Sequence, residues 1–141
     1  MDEGSDVARL TSIEAVLYRY ALAYDGDDID GAVDCFDSDG VMWASSRARP
    51  ARGHAALKLM LGEARDGRRA RGEQPRHLLN NVLVDVAADG RSARVTSYMT
   101  LILSRDGSCL VDCTGVYEDR LGLMPDGWKF VERRLRFDGA P

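Results

Sequence analysis

The sequence predicts an α+β fold, with helices in its first half and an antiparallel sheet in its second. Ile13, Val16, Leu17, Tyr20, Ala21 and Tyr24 recur at three-to-four-residue spacing, the buried stripe of a helix. From Pro75 onward the apolar period shortens to two, as in strands that bury one face. Ala88-Asp89-Gly90, Arg105-Asp106-Gly107 and Pro125-Asp126-Gly127 then punctuate that stretch as hairpin-type turns. Helices followed by a meander of strands pack as helices on one face of a curved sheet, which commonly leaves a pocket between them.

Each element can be placed in order. The first helix is predicted over residues 6–24, and Thr11 with Glu14 forms a capping-box pattern that would start its regular part at Thr11 or Ser12. Asp25-Gly26-Asp27 breaks it, and Asp28 caps a short second helix reaching residues 34–36. Residues 37–40 read as a turn and 41–44 as a short strand. Gly53-His54 opens a third helix with Leu57, Met60 and Leu61 on its buried face, and residues 62–74 read as helix end and loop. Four long strands follow over 76–86, 93–103, 109–120 and 128–137. With no internal repeat and no linker, residues 1–141 are expected to form one domain.

Composition narrows the function classes. A net charge of −4 gives no global attraction to nucleic acid or to an anionic membrane. No run of eighteen apolar residues is present, and the acidic start Met1-Asp2-Glu3-Gly4 has no secretion-signal character, so a cytoplasmic protein is expected. Cys109 and Cys113 on one strand would lie about 13 Å apart, too far for a disulfide. Two histidines and no Cys-x-x-Cys pair leave no metal site to expect, and no dinucleotide or phosphate loop is present, so no cofactor is expected either. Arginines crowd between Arg47 and Arg76, either as a solvated helix end and loop or as an electropositive rim over a pocket for an acidic substrate.

Asp25 follows a buried-face tyrosine at the end of the first helix, as a turn residue or as a carboxylate entering the pocket. His77 begins the first long strand, where alternation puts His77, Leu79, Asn81 and Leu83 on one face. Together Asp25 and His77 are the candidates for a carboxylate–imidazole pair, the arrangement that orients a general base. Tyr20 and Tyr24 precede Asp25 on the same stripe. Arg133 alternates with Val131 and Leu135, which would turn a guanidinium inward, where it needs an anion. Trp43, Asn81, Tyr98 and Asp112 are the candidates for lining the pocket.

These residues carry a resemblance. The run Ile13…Tyr18-Arg19-Tyr20-Ala21…Asp25-Gly26-Asp27-Asp28-Ile29-Asp30-Gly31…Phe36…Asp39-Gly40-Val41 resembles the opening of the SnoaL-like polyketide cyclase and dehydratase group. Gly53-His54-Ala55-Ala56-Leu57, Arg76-His77-Leu78-Leu79-Asn80-Asn81-Val82, Gly115-Val116-Tyr117-Glu118-Asp119 and Asp126-Gly127-Trp128-Lys129-Phe130 continue it in order, over about residues 8–137. The resemblance implies the nuclear-transport-factor-two-like superfamily: a cone-shaped α+β barrel enclosing one deep pocket, a fold that hosts many activities. Scytalone dehydratase and hexachlorocyclohexane dehydrochlorinase resemblances imply an Asp at Asp25 and a strand His at His77, and the latter adds Arg133. A bile-acid-dehydratase-like pattern points to Tyr20, the scytalone-dehydratase-like one to Tyr24, and a polyketide-cyclase-like second carboxylate to Asp112.

The resulting expectation is a cofactor-independent dehydratase, cyclase or isomerase acting on a small polyketide- or terpenoid-like molecule. His77 would be the base, Asp25 would orient it and stabilise the imidazolium, a tyrosine would donate to the developing oxyanion, and Arg133 would meet a polar end of the substrate. The rival expectations are a ligand-binding or assembly module without catalysis and an oxygenase accessory subunit. Exposed sheet edges and an outer sheet face point to a homodimer.

Overall fold

A computed structural model describes residues 3–139, so Met1 and Asp2 of the acidic start and the last two residues lie outside the described part. The chain runs α1 (Glu3–Asp25), α2 (Ile29–Val33), β1 (Phe36–Ala44), β2 (Ala51–Arg52), α3 (Gly53–Ala70), β3 (Gln74–Val86), β4 (Ser92–Arg105), β5 (Ser108–Met124) and β6 (Gly127–Phe137). The strands form one six-stranded curved sheet in the order β2-β1-β6-β5-β4-β3, and it does not close. Its concave side takes α1, packed against β3 and β6, while α3 lies on β1. The stripe anticipated for α1 is the core's backbone: Ile13, Val16, Leu17 and Tyr20 are almost wholly buried against Phe36, Phe130, Val95 and Leu121.

Several local expectations are corrected. Helix α1 begins at Glu3, and Thr11 caps nothing; within the helix Ser12 instead donates its hydroxyl back to the Ala8 carbonyl at 2.8 Å. The Asp28 cap is present, its carboxylate accepting from Gly31 N–H at 2.9 Å. Residues 37–40 form no turn between elements; they are a bulged segment of β1, where pairing with β6 jumps from Phe36↔Phe130 to Val41↔Glu132. That pairing is parallel, so the sheet is antiparallel only across β3–β6 and β1–β2. Helix α3 runs through Gly62 and Gly67 to Ala70 rather than dissolving at Gly62. Two glycines cost a helix about 1 kcal/mol each, which the burial of Leu57, Met60 and Leu61 outweighs.

Three bulges decide which side chains face the helices. Asn81 and Val82 together oppose Ser97, Asp112 is the extra residue between Leu101↔Cys113 and Ile102↔Val111, and Val131 is the extra residue between Arg120↔Glu132 and Leu121↔Phe130. Asn81 takes the left-handed conformation, φ 54°, which asparagine tolerates better than most residues. Because a bulge shifts alternation by one, Val82, Val84 and Val86 turn inward and Leu83 turns out. For the same reason Phe130 and Arg133 share the inner face, with Val131 left off it.

Close strand approach makes one prediction. A Cβ added at Gly115 would sit 2.6 Å from the Arg136 carbonyl oxygen of the neighbouring strand, and backbone cannot yield as a side chain does. Gly115→Ala should therefore lower stability by about 1–3 kcal/mol in urea unfolding. An unchanged midpoint would mean that β5 and β6 are not so tightly apposed there.

Candidate active site

The end of α1 and the start of β3 are tied together by one residue. Asp25 accepts a hydrogen bond from the His77 backbone N–H through Oδ2 at 2.8 Å, and its Oδ1 lies 2.6 Å from His77 Nδ1. The Gln74 side-chain amide donates to the Asp25 carbonyl at 2.9 Å, closing the joint from the other side. Both side chains are nearly buried, 7% exposed for His77 and 8% for Asp25, and they stand 52 positions apart in the chain. A carboxylate only accepts, so Nδ1 carries a proton, and in the neutral ring Nε2 is then the nitrogen with the lone pair. Asp25 is thus a buried carboxylate that joins the end of α1 to the start of β3.

Tyr24 is the tyrosine beside this pair, its ring centroid 5.2 Å from that of His77. Burial pushes its hydroxyl above the ordinary tyrosine range, against the lowering pull of the Arg68 guanidinium 5.3 Å over the ring, so it remains a donor. Tyr20 sits one turn back in the core, edge-on to Phe36 and Phe130, with its hydroxyl turned to the Met42 sulfur at 3.7 Å.

Arg133 is inward, as its strand position suggested, and completely buried. Its anion is Asp119, 3.1 Å from Nε, also buried, and directly opposite in the β5–β6 register. The approach is close but not aligned as a hydrogen bond, and the Ser97 hydroxyl nearby is unpartnered too. The guanidinium lies over the rings of Tyr117, Phe130 and Tyr20, at 3.5, 4.5 and 4.6 Å from their centroids, a desolvated cation–π cage. Burial raises the Asp119 carboxyl to about 7 although Arg133 pulls it down. Asp119 was not among the expected residues. Its signal was alternation: Tyr117, Asp119 and Leu121 share the inner face of β5, and a charge between two core positions needs a partner.

The four expected pocket-lining residues do not gather at the dyad. Trp43 is on the outer face, under the Arg134 guanidinium at 4.9 Å. Tyr98, 54% exposed, lies on that face opposite Asn80, and Asn81 is exposed at its bulge. Asp112 is exposed and lines an open cleft with Glu73, Leu103 and Leu110. Asn81 and Asp112 are placed by bulges, whereas Tyr98 faces out by the regular alternation of β4. The cleft that Tyr24 lines is likewise open, about 260 Å³, with Arg65, Arg68 and Gln74 among its walls and neither Asp25 nor His77, where the expectation is a deep enclosed pocket. Among the described residues no three His, Cys, Asp or Glu side chains cluster to hold a metal ion. None of their helices is long and apolar enough to cross a membrane.

Helices on the concave side of this curved, unclosed mixed sheet give the cone-shaped fold seen in nuclear-transport-factor-two-like proteins. Residues 5–134 match the SnoaL-like domain, and the chain belongs to that family. A solved structure of an aspartate-to-asparagine variant of Rv3472, a protein of unknown function from Mycobacterium tuberculosis, is 27% identical over 96% of this chain and 75% of its own, with a TM-score of 0.81. An NTF2-like protein with a cystatin-like fold from Novosphingobium aromaticivorans is 22% identical over 99% and 92%, TM-score 0.82. ActVI-ORFA from Streptomyces coelicolor is 21% identical over 96% and 98%, TM-score 0.84; these last two likenesses speak for the fold. No curated protein matches the chain significantly.

Proposed function

We propose that this SnoaL-like protein is a cofactor-independent acid–base enzyme, a dehydratase, cyclase or isomerase of a small polyketide- or terpenoid-like molecule. The observation that carries the reading is the two-point grip of Asp25 on His77, ring and backbone together. A histidine held only for packing does not need both carboxylate oxygens, whereas a base must keep one tautomer and one orientation.

In the proposed step His77 Nε2 takes a proton from a carbon beside a carbonyl, and the electron pair moves onto the carbonyl oxygen. Tyr24, kept protonated by burial, donates a hydrogen bond to that developing enolate. Asp25 stabilises the imidazolium through Nδ1–H without taking its proton. Returning the proton to a different carbon completes an isomerisation; delivering it to a departing hydroxyl completes a dehydration and releases water. Arg133 enters this proposal as the charged floor of the cone, matched by Asp119, and not as a contact to substrate.

Proton abstraction can be read without the natural substrate. Deuterium incorporation from heavy water into β-tetralone, followed by proton NMR, should be accelerated by the protein above the buffer rate. Tyr24→Phe should retain the fold and lose about 10–100-fold of that acceleration, the worth of one oxyanion donor at the low end. Absence of exchange across a panel of carbon acids with the protein fully folded would favour the ligand-binding module instead.

A further inference from the structure

The inner stripe of α3 changes character along its length. Leu57, Met60 and Leu61 are buried, and one turn further on the same side continues as Arg65, Arg68 and Arg69. These three arginines line a cleft of about 260 Å³ whose wall also includes the largely buried Tyr24, the ring tilted against His77. Two of them are committed: Arg65 to Asp66 at 3.1 Å and Arg69 to Asp27 at 2.8 Å. Arg68 has no carboxylate within ion-pair distance among the described residues, and its Nη1 is buried without a hydrogen-bond partner. Its guanidinium is fixed over the Tyr24 ring, and its charge is felt both by Tyr24 from α1 and by Cys113 from β5. It therefore stands against the same tyrosine ring that lies beside His77.

The charge balance of the cleft points the same way. Three guanidiniums face only two carboxylates in its wall, Asp27 and Glu73, and Glu73 is already paired with Arg71 outside the lining. With Arg65 on Asp66 and Arg69 on Asp27, one positive charge is left over, on the Arg68 guanidinium, which touches Tyr24 and whose Nη1 has no partner. That is a receptor for a single flat anion attached to an apolar ring. A dianionic phosphate would need a second free cation, which Arg65 and Arg69 do not supply.

We propose that Arg68 is the anion-binding residue of this cleft and that the molecule brought to His77 is an aromatic or alicyclic carboxylate. Its place as a substrate rests on the acid–base reading above; its binding does not. The carboxylate would take the Arg68 fork, and the ring beside it would lie along Tyr24 with its reactive carbon toward Nε2.

The test uses naphthoate and its uncharged counterpart naphthamide, titrated into the intact protein by calorimetry. The histidine ring signals, only two in this sequence, are followed by NMR in parallel. Naphthoate should bind about 10–100-fold more tightly than naphthamide and shift the His77 signal rather than that of His54. Arg68→Gln should remove that preference, Arg68→Lys should restore only part of it, and Arg47→Gln, at an exposed position outside the cleft, should leave it intact. Equal binding of acid and amide by the wild type, no binding of naphthoate, or wild-type affinity in folded Arg68→Gln overturns the proposal. The acid–amide comparison needs no variant, so a misfolded Arg68→Gln does not shelter the idea. Naphthoate retained by His77→Ala separates the two readings: the anion site then stands even if carbon-acid exchange is never seen.

Discussion

His77→Ala should lower the protein-catalysed proton exchange by about 10²–10⁴-fold, the usual contribution of a positioned general base. The imidazole is nearly buried and held at 2.6 Å by Asp25, so its loss also frees a carboxylate that still accepts the residue-77 backbone N–H at 2.8 Å. That surviving bond is why the variant should fold, with a thermal midpoint a few degrees below wild type, about the effect of 1–2 kcal/mol. Asp25→Asn is the more discriminating partner. An amide can donate where the carboxylate only accepts, so it favours the wrong histidine tautomer and leaves a developing imidazolium unsupported. Turnover should fall with little change in substrate affinity, since the lost interaction exists mainly in the transition state. A purely structural dyad would behave otherwise: both variants would lose stability, and whatever exchange is present would persist in whatever fraction remained folded. Full exchange activity in folded His77→Ala would end the catalytic assignment.

Arg133→Met should be costly in a pH-dependent way. At pH 8 the variant has no counter-charge for buried Asp119, which must stay ionised and unpaired or take up a proton that the unfolded chain has released, for about 3–5 kcal/mol of lost stability. In the wild type Asp119 already titrates near 7, raised by burial from 3.8, so the folded state holds a proton that the unfolded state releases. That linkage makes stability highest below about pH 4 and lower as pH rises through 7, for this group. Removing Arg133 removes the charge that pulls Asp119 down, so the carboxyl rises further and the variant's deficit grows with pH. At pH 5, where Asp119 is protonated in both proteins, the deficit should shrink to the loss of packing over Tyr117, Tyr20 and Phe130. Combining Arg133→Met with Asp119→Leu should recover most of the pH 8 loss, because an apolar pair leaves nothing unpaired. Urea unfolding at both pH values measures all of this. An equal deficit at pH 5 and pH 8 would show that the pair contributes by shape alone.

Element order and the dyad were legible because each rests on short-range chemistry. The spacing of Ile13, Val16, Leu17, Tyr20 and Tyr24 can satisfy only a helix, and Asp25-Gly26-Asp27 stops it: Asp27 takes φ 65° and Asp28 N–H returns to the Ala23 carbonyl at 2.8 Å. The four long strands follow from alternation, and their turns from glycine at positive φ, as at Gly90, Gly107 and Gly127. Asp25 and His77 were found as a pair because each was an oddity in its own element: a carboxylate ending an apolar stripe, and an imidazole opening a strand.

The remainder needed the third dimension. Alternation assigns a face only until a bulge adds a residue, and bulges at Asn81, Asp112 and Val131 are set by how β3 to β6 curve around α1, a property of no single strand. That is why Asn81 lies outside, whereas Tyr98 lies there by unbroken alternation along β4. It is also why Arg133 shares its face with Phe130 rather than with Val131, the neighbour alternation gives it. The choice of Tyr24 over Tyr20 beside His77 depended on where β3 crosses the end of α1, and the charge-matching of Arg133 by Asp119 on the β5–β6 register. That Arg68 has no carboxylate partner among the described residues emerged only once Arg65 and Arg69 had found Asp66 and Asp27. Sequence by itself determined the three helices, the four long strands and the pairing of Asp25 with His77, since periodicity and turn chemistry act within a few positions of the chain. Tertiary structure alone decided which charges are paired, because pairing depends on distances between residues that the chain leaves far apart and the curved sheet brings together.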